Sequence, residues 1–378
     1  MNISSIPNPD LAVTFDDKPN WEVSDNRRAG WHNLPTTTRY SMTLRAEGIS
    51  PLSKEINWKI GDRSDVSRFL AVSHFSAFAV VRGDRVIFES YAPDFGPQQT
   101  HSVQSITKTH LNLMLGRVVA DGLVDLDEKV GIYLPEIGSA YANATVRDVS
   151  NMNIENDYTE DWSDPNSLVF DMDAAIGWRP PREGQNEKPL REFLCGLTGS
   201  DLTNHGGELN YKSANTEILA WIVERVSGRP LRDWLLEIVE AAGYEGCFHI
   251  SCDRVGVPIL AGGVALTARD LARYGLLFAR GGEGVDGRKV GDAQFIEETR
   301  KSTVGPTWET ASGYMRYNRA MFTNGTFLGH GGWGGQYLLV NPDTDTAVVY
   351  FSVLENRTAE DLEFFAPLIE MMDSVAAS

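Results

Sequence analysis

Cysteine is scarce in this chain: three among 378 residues, at Cys195, Cys247 and Cys252. An odd, sparse set cannot staple a fold and suits free thiols in a reducing compartment. The stretch Cys247-Phe248-His249-Ile250-Ser251-Cys252 holds metal-ligating residue types but lacks a second ligand pair, so buried thiols are expected and a metal is not. Positive charge is also short. Lys and Arg number 34 against 52 Asp and Glu, a formal net charge of −18. That balance argues against nucleic acid and anionic membrane surfaces as partners. No run of about 18 apolar residues occurs, so no transmembrane helix is expected. The first ten residues carry neither a basic nor an apolar stretch; they do not read as a signal peptide, and a cytoplasmic location is expected. G-x-S-x-G, the turn that presents the serine of α/β-hydrolases, is missing around every candidate nucleophile.

What remains is an ordinary globular composition, 42% hydrophobic with 35 Gly and 17 Pro. A chain this long can bury a large core as two lobes or one large domain with insertions. Residues 1–60 show little periodicity and read as an extended segment wrapping the surface. Residues 65–73 read as a helix. The runs 78–82 and 85–91 flank Gly83-Asp84 and predict a β-hairpin. Helical patterns follow at 107–120, from 145, and at 190–197, 215–226, 231–242 and 267–278, with Asp125 or Asp127 as a cap after Gly122. Strand patterns return at 336–343 and 346–351, and the last helix, 358–375, contains Pro367, which would kink it. Strands at both ends around a helical middle predict an α+β fold. One lobe would comprise 1–100 and 265–378 around an antiparallel sheet, and a mainly helical lobe 101–264. The long aromatic connection 151–190 reads either as a substrate loop or as an irregular insertion.

The chain holds a single S-x-x-K, Ser105-Ile106-Thr107-Lys108, at the start of a helical run. Residues three apart share a helix face, so hydroxyl and amine would lie side by side. A lysine kept neutral there can accept the serine proton. Alone, the motif reads more readily as an N-capping serine followed by a surface lysine. Two later stretches give it company. Tyr211-Lys212-Ser213 follows Gly206-Gly207 and precedes a helix; a tyrosine there can relay protons or pack as a structural residue. Gly329-His330-Gly331-Gly332-Trp333-Gly334-Gly335 opens a strand, either as a glycine-rich bend or as an edge whose N–H groups approach a ligand.

In this order the segments resemble the β-lactamase/penicillin-recognising serine hydrolases, nearer to class C β-lactamases and family VIII esterases and nearest to the 6-aminohexanoate-dimer (nylon-oligomer) hydrolases. Ser105-Ile106-Thr107-Lys108 is similar to the first motif, Tyr211-Lys212-Ser213 to the second, and Gly331-Gly332-Trp333-Gly334 stands in the place of the third. Asp121-Gly122-Leu123-Val124-Asp125-Leu126-Asp127, the loop from Asp157 to Pro165, and Gly262-Gly263-Val264 extend the likeness from about residue 75 to the end. The resemblance implies a β-lactamase/transpeptidase-like fold and an acyl-enzyme on Ser105. Lys108 and Tyr211 would form the proton-transfer pair, and the N–H groups of Ser105 and Trp333 the oxyanion hole. Tyr158, Trp162, Ser213, His330 and Gly332 would contact substrate. It implies no cofactor and no metal; the partner is a small ester or amide, and a homodimer is an open expectation.

The third motif lacks its lysine, which leaves His330 as the nearest cation candidate. Trp162 stands where nylon-oligomer hydrolases tend to carry a tyrosine, which favours esters over amides. A D-aminopeptidase or β-lactamase, a non-catalytic binding member of the fold, and a Ser-His-Asp triad using His101, His110 or His330 are the competing expectations.

Overall fold

The computed structural model describes residues 21–310 and 313–378. Two sheets organise it. The larger is built from β2 (Ser53–Lys54), β3 (Phe75–Arg82), β4 (Arg85–Tyr91), β8 (Thr307–Thr310), β9 (Gly313–Asn318), β10 (Met321–Thr323), β11 (Leu328–Gly332), β12 (Gln336–Asn341) and β13 (Thr346–Ser352). Its order is β2-β4-β3-β13-β12-β11-β10-β9-β8, antiparallel except for the β2–β4 pair. The smaller contains β1 (Ser41–Leu44), β5 (His101–Ser102), β6 (Phe248–Ser251) and β7 (Val264–Leu266), in the order β1-β6-β7-β5.

The expected hairpin forms as β3 and β4, and Gly83 takes the positive φ of 61° that a two-residue turn requires. Strands β12 and β13 are buried along their whole length, as continuous apolar runs covered on both faces should be. On one face Leu338, Val340 and Ala347 meet the helix Ala268–Ala279, where Gly275 permits close approach. On the other, Tyr337 and Tyr350 meet Phe365 and Phe364 of the helix Leu362–Ala377. That helix runs on through Pro367 as one element instead of splitting.

Three further expectations need correcting. The described part of 1–60 is not simply extended: Ser24–His32 and Leu34–Thr37 are helical, and Arg27 and Trp31 bury their side chains. Residues 1–20 of that segment lie outside the described residues. The side chain of Asp125 does not cap the helix Val130–Tyr133 but accepts from the N–H of Asp127. The helical run around the S-x-x-K divides into a 3-10 helix, Gln104–Thr109, and an α-helix, His110–Ala120. The small sheet joins segments on both sides of positions 100 and 264, because β1 pairs with β6 and β5 with β7. Among the described residues no helix is long and apolar enough to cross a membrane. The three cysteines are free thiols.

Candidate active site

The 3-10 geometry brings the first two residues together. Side chains at i and i+3 eclipse in a 3-10 helix, and Lys108 Nζ sits 2.9 Å from Ser105 Oγ. The ammonium also donates to the carbonyl of Ala261 at 2.5 Å. Lys108 is fully buried, and desolvation pushes its pKa down to about 8, against the pull of Glu160 and Glu217. Gln104, just before Ser105, holds a left-handed φ of 47°, and its amide donates to Ser102 Oγ at 2.9 Å. A non-glycine residue in that region is strained and persists only where its surroundings hold it.

Tyr211 precedes the helix Ser213–Ser227, and its ring lies 5.0 Å from Lys108 Nζ. Its hydroxyl is buried and has no partner of proper hydrogen-bond geometry among the described residues. Burial raises its pKa well above the usual phenol value, with Tyr317 and Glu160 adding to the rise. The nearby Ser105 hydroxyl opposes this rise. Burial therefore favours the phenol form of the resting Tyr211 despite the nearby lysine. Burial outweighs a cation that is itself being neutralised.

Strand β11 presses against the turn before Ser105. A Cβ on Gly332 would lie 2.5 Å from the Val103 carbonyl, so only glycine permits that approach. Next to it, the carbonyl of Trp333 accepts from Trp31 Nε1 at 3.2 Å and from Gln336 Nε2 at 2.6 Å. His330 does not supply the expected cation. It is almost fully buried, and desolvation together with the Lys108 charge presses its pKa to about 3. Its Nδ1 faces the Gly331 carbonyl at 2.6 Å, which assigns the proton to that nitrogen. His101 and His110 are likewise held neutral by burial, with Nδ1 against the carbonyls of Ser102 and Thr107. None of the three bonds to Ser105 among the described residues, so no histidine triad forms.

These groups open on a cavity of about 590 Å³. Ser213, Gly332 and Trp333 line it, and the loop after Ile154 closes one side. Trp162 stacks on Trp333, centroids 5.3 Å apart and planes 10° apart, while remaining 38% exposed. Tyr158 is completely buried. Its hydroxyl donates to Glu160 at 3.2 Å and faces Met172 Sδ at 3.1 Å, so it props the wall more than it offers a free contact. Glu160 in turn accepts the Ser213 N–H at the start of a helix, where a carboxylate is favoured.

The cavity is acidic. Glu22, Glu160, Asp161, Asp173 and Glu360 line it, and no Lys or Arg does among the described residues. Glu22 Oε1 and Asp173 Oδ2 are buried without a partner among the described residues. Desolvation raises Glu22 to about 7 against Arg179 and Arg27, and raises Asp173 well above the carboxylate range, with Glu22 adding to it. Sequence reasoning assigned no role to Glu22, Glu160, Asp173 or Glu217. For Glu217 a signal existed: it is a lone charge inside the helical run 214–223, whose other positions are buried and mostly apolar. For Glu22 none did, because its segment has no periodicity.

A family model described as Beta-lactamase matches residues 72–364. A 6-aminohexanoate-dimer hydrolase of Paenarthrobacter ureafaciens is 35% identical over 301 residues, covering 76% of this chain and 75% of that protein. A solved Bacillus anthracis structure assigned as a 6-aminohexanoate-dimer hydrolase superposes with a TM-score of 0.81 over 98% of this chain and 97% of that one, at 19% identity. EstCE1, described as a hydrolase with promiscuous acyltransferase activity, superposes with a TM-score of 0.59 over 84% of this chain and 98% of its own, at 16% identity. At those identities the two superpositions establish the fold alone.

Proposed function

The chain belongs to the β-lactamase family of serine hydrolases, and from that premise we propose that it cleaves small carboxylic esters or linear amides through an acyl-enzyme on Ser105. The observation that carries this is the Lys108 Nζ contact with Ser105 Oγ at 2.9 Å, made by a lysine whose pKa burial has brought to about 8. A serine hydroxyl is not ionised near neutral pH and needs a base within hydrogen-bond reach. Neutral Lys108 takes the Ser105 proton as Oγ attacks the carbonyl. The N–H groups of Ser105 and Trp333 hold the oxyanion. Lys108 and the protonated Tyr211 return a proton to the departing alkoxide or amine, and water then reverses the sequence to release the acid.

The acidic lining supports a substrate carrying an ammonium group. The curated relative is named for the 6-aminohexanoate dimer, a linear amide with a free amino end. Among the described residues lining the cavity no Lys or Arg faces a carboxylate and His330 is neutral, which weighs against a β-lactam, a D-peptide and the acid end of the dimer alike and favours an ester.

The test combines a fluorophosphonate label with a substrate panel: a p-nitrophenyl ester, the 6-aminohexanoate dimer and a chromogenic β-lactam. The label is expected on Ser105, with turnover of the ester or the amide and not of the β-lactam. A label on another residue, or turnover of the β-lactam alone, overturns the proposal. Labelling without turnover of any member would favour a binding role.

A further inference from the structure

Lys108 has a second anchor besides Ser105, and that anchor is itself held from behind. The carbonyl of Ala261 accepts from Lys108 Nζ at 2.5 Å. The N–H of the same residue donates to Glu217 Oε1 at 2.6 Å. Glu217 lies on the helix that begins at Ser213, just after Tyr211, and is 3% exposed. One buried carboxyl thus ties the Tyr211 helix to the 259–263 segment that seats the lysine. That segment has little freedom of its own: a Cβ on Gly263 would lie 2.4 Å from Ser251 Oγ, and one on Gly262 3.0 Å from the Trp178 ring.

We propose that Glu217 is a positioning residue for catalysis, which grips Ala261 and through it fixes Lys108 against Ser105. The proposal rests on Lys108 being the base of the preceding section. A buried carboxyl amid apolar helix positions is costly unless it is bonded and has a task. Here its bond goes to the one residue that also holds the lysine. The charged and titratable groups around the pair come from several elements. Glu160 of the 155–168 loop, Tyr211 and His330 of β11 face Lys108, while Asp253 faces Glu217. Glu217 and Lys108 act on each other electrostatically, so removing the carboxyl changes both the seat of the lysine and the field at its nitrogen. Such a shift can be large in rate, because an ångström of misplacement costs on the order of 10²-fold.

The experiment compares Glu217→Leu and Glu217→Gln with the wild type, using p-nitrophenyl acetate and counting active sites with a fluorophosphonate. Labelling of Ser105 in the wild type separately verifies the nucleophile, so failure there and failure here are distinct results. Glu217→Leu is expected to lose about 10²-fold in kcat per titrated site with KM little changed. Glu217→Gln, which keeps an acceptor for the Ala261 N–H, is expected to recover at least about tenfold of that. Burial raises Glu217 to about 8, so it is partly a carboxylate through the acid limb, and both variants should move that limb of kcat/KM to lower pH because Lys108 loses this partial negative charge. If Glu217→Leu does not fold, the pH shift in Glu217→Gln still decides. An unmoved acid limb with unchanged kcat per site, whatever the loss of thermal stability, overturns the proposal and leaves Glu217 a structural residue.

Discussion

On the proposed mechanism Lys108 and Tyr211 have to agree before Ser105 can react, and each, like the neighbouring His330, is set by its surroundings more than by its type. Lys108 titrates near 8, Tyr211 well above its usual value and His330 near 3. Activity on a neutral ester should therefore rise through an acid limb near pH 8, where Lys108 becomes neutral, and show no inflection near 6.5. A pH profile of kcat/KM checks this, and an inflection at the histidine value would point to an imidazole base. Lys108 and Glu217 are coupled, so the limb belongs to the pair. Lys108→Ala and Tyr211→Phe should each lower kcat on the order of 10²-fold, the usual scale for acid–base groups. Because they serve one proton path, the double variant should lose much less than the product. Steady-state kinetics on the four proteins of that cycle measure it, and simple multiplicativity would separate their roles.

Two elements shape the cavity around those residues. The loop that carries Trp162 lays an indole, still 38% exposed, flat on Trp333 at the mouth. Trp162→Ala should change relative rates across a panel of acyl and leaving groups more than it changes the melting temperature. An equal change for every substrate would make the loop a structural cover. From the other side, the helix Ser24–His32 brings Trp31 beneath Trp333, packed on Trp21 at 5.4 Å and donating to the Trp333 carbonyl. Trp31→Phe keeps most of the packing and removes the donor. It is expected to cost about tenfold in kcat, one ordinary hydrogen bond of orientation, with little loss of stability. Kinetics beside a thermal melt separate the two effects. The helix was not legible beforehand because its apolar residues are few and its partners lie some three hundred positions away.

At the scale of the whole molecule, the nine-stranded sheet is the frame against which the site is assembled. Its central strands are buried on both faces, and Leu338 touches the helix Ala268–Ala279 at Gly275. Leu338→Ala should destabilise the protein by about 3 kcal/mol through lost burial and a residual cavity. Urea unfolding checks this, with turnover per folded molecule unchanged. A smaller loss would mean that the sheet and helix close the gap.

The β3–β4 and β12–β13 hairpins, most of the longer helices and the grouping of Ser105, Lys108, Tyr211 and the glycine-rich edge were legible in the sequence itself. Each depends on a short-range rule: alternation for a strand, 3.6-residue spacing for a helix, a three-position step from hydroxyl to amine. Even there the local form differed, since the S-x-x-K turn is 3-10 and not α. What only the tertiary structure decided is the protonation state of nearly every group in the site. Lys108 moves from 10.5 to about 8 because burial strips it of water, against Glu160 and Glu217, which come from distant parts of the chain and pull it back up. Desolvation depends on which atoms exclude water, and no spacing within one segment encodes that. The same holds for the unpartnered carboxyl oxygens of Glu22 and Asp173, which share one cavity although 151 positions separate them.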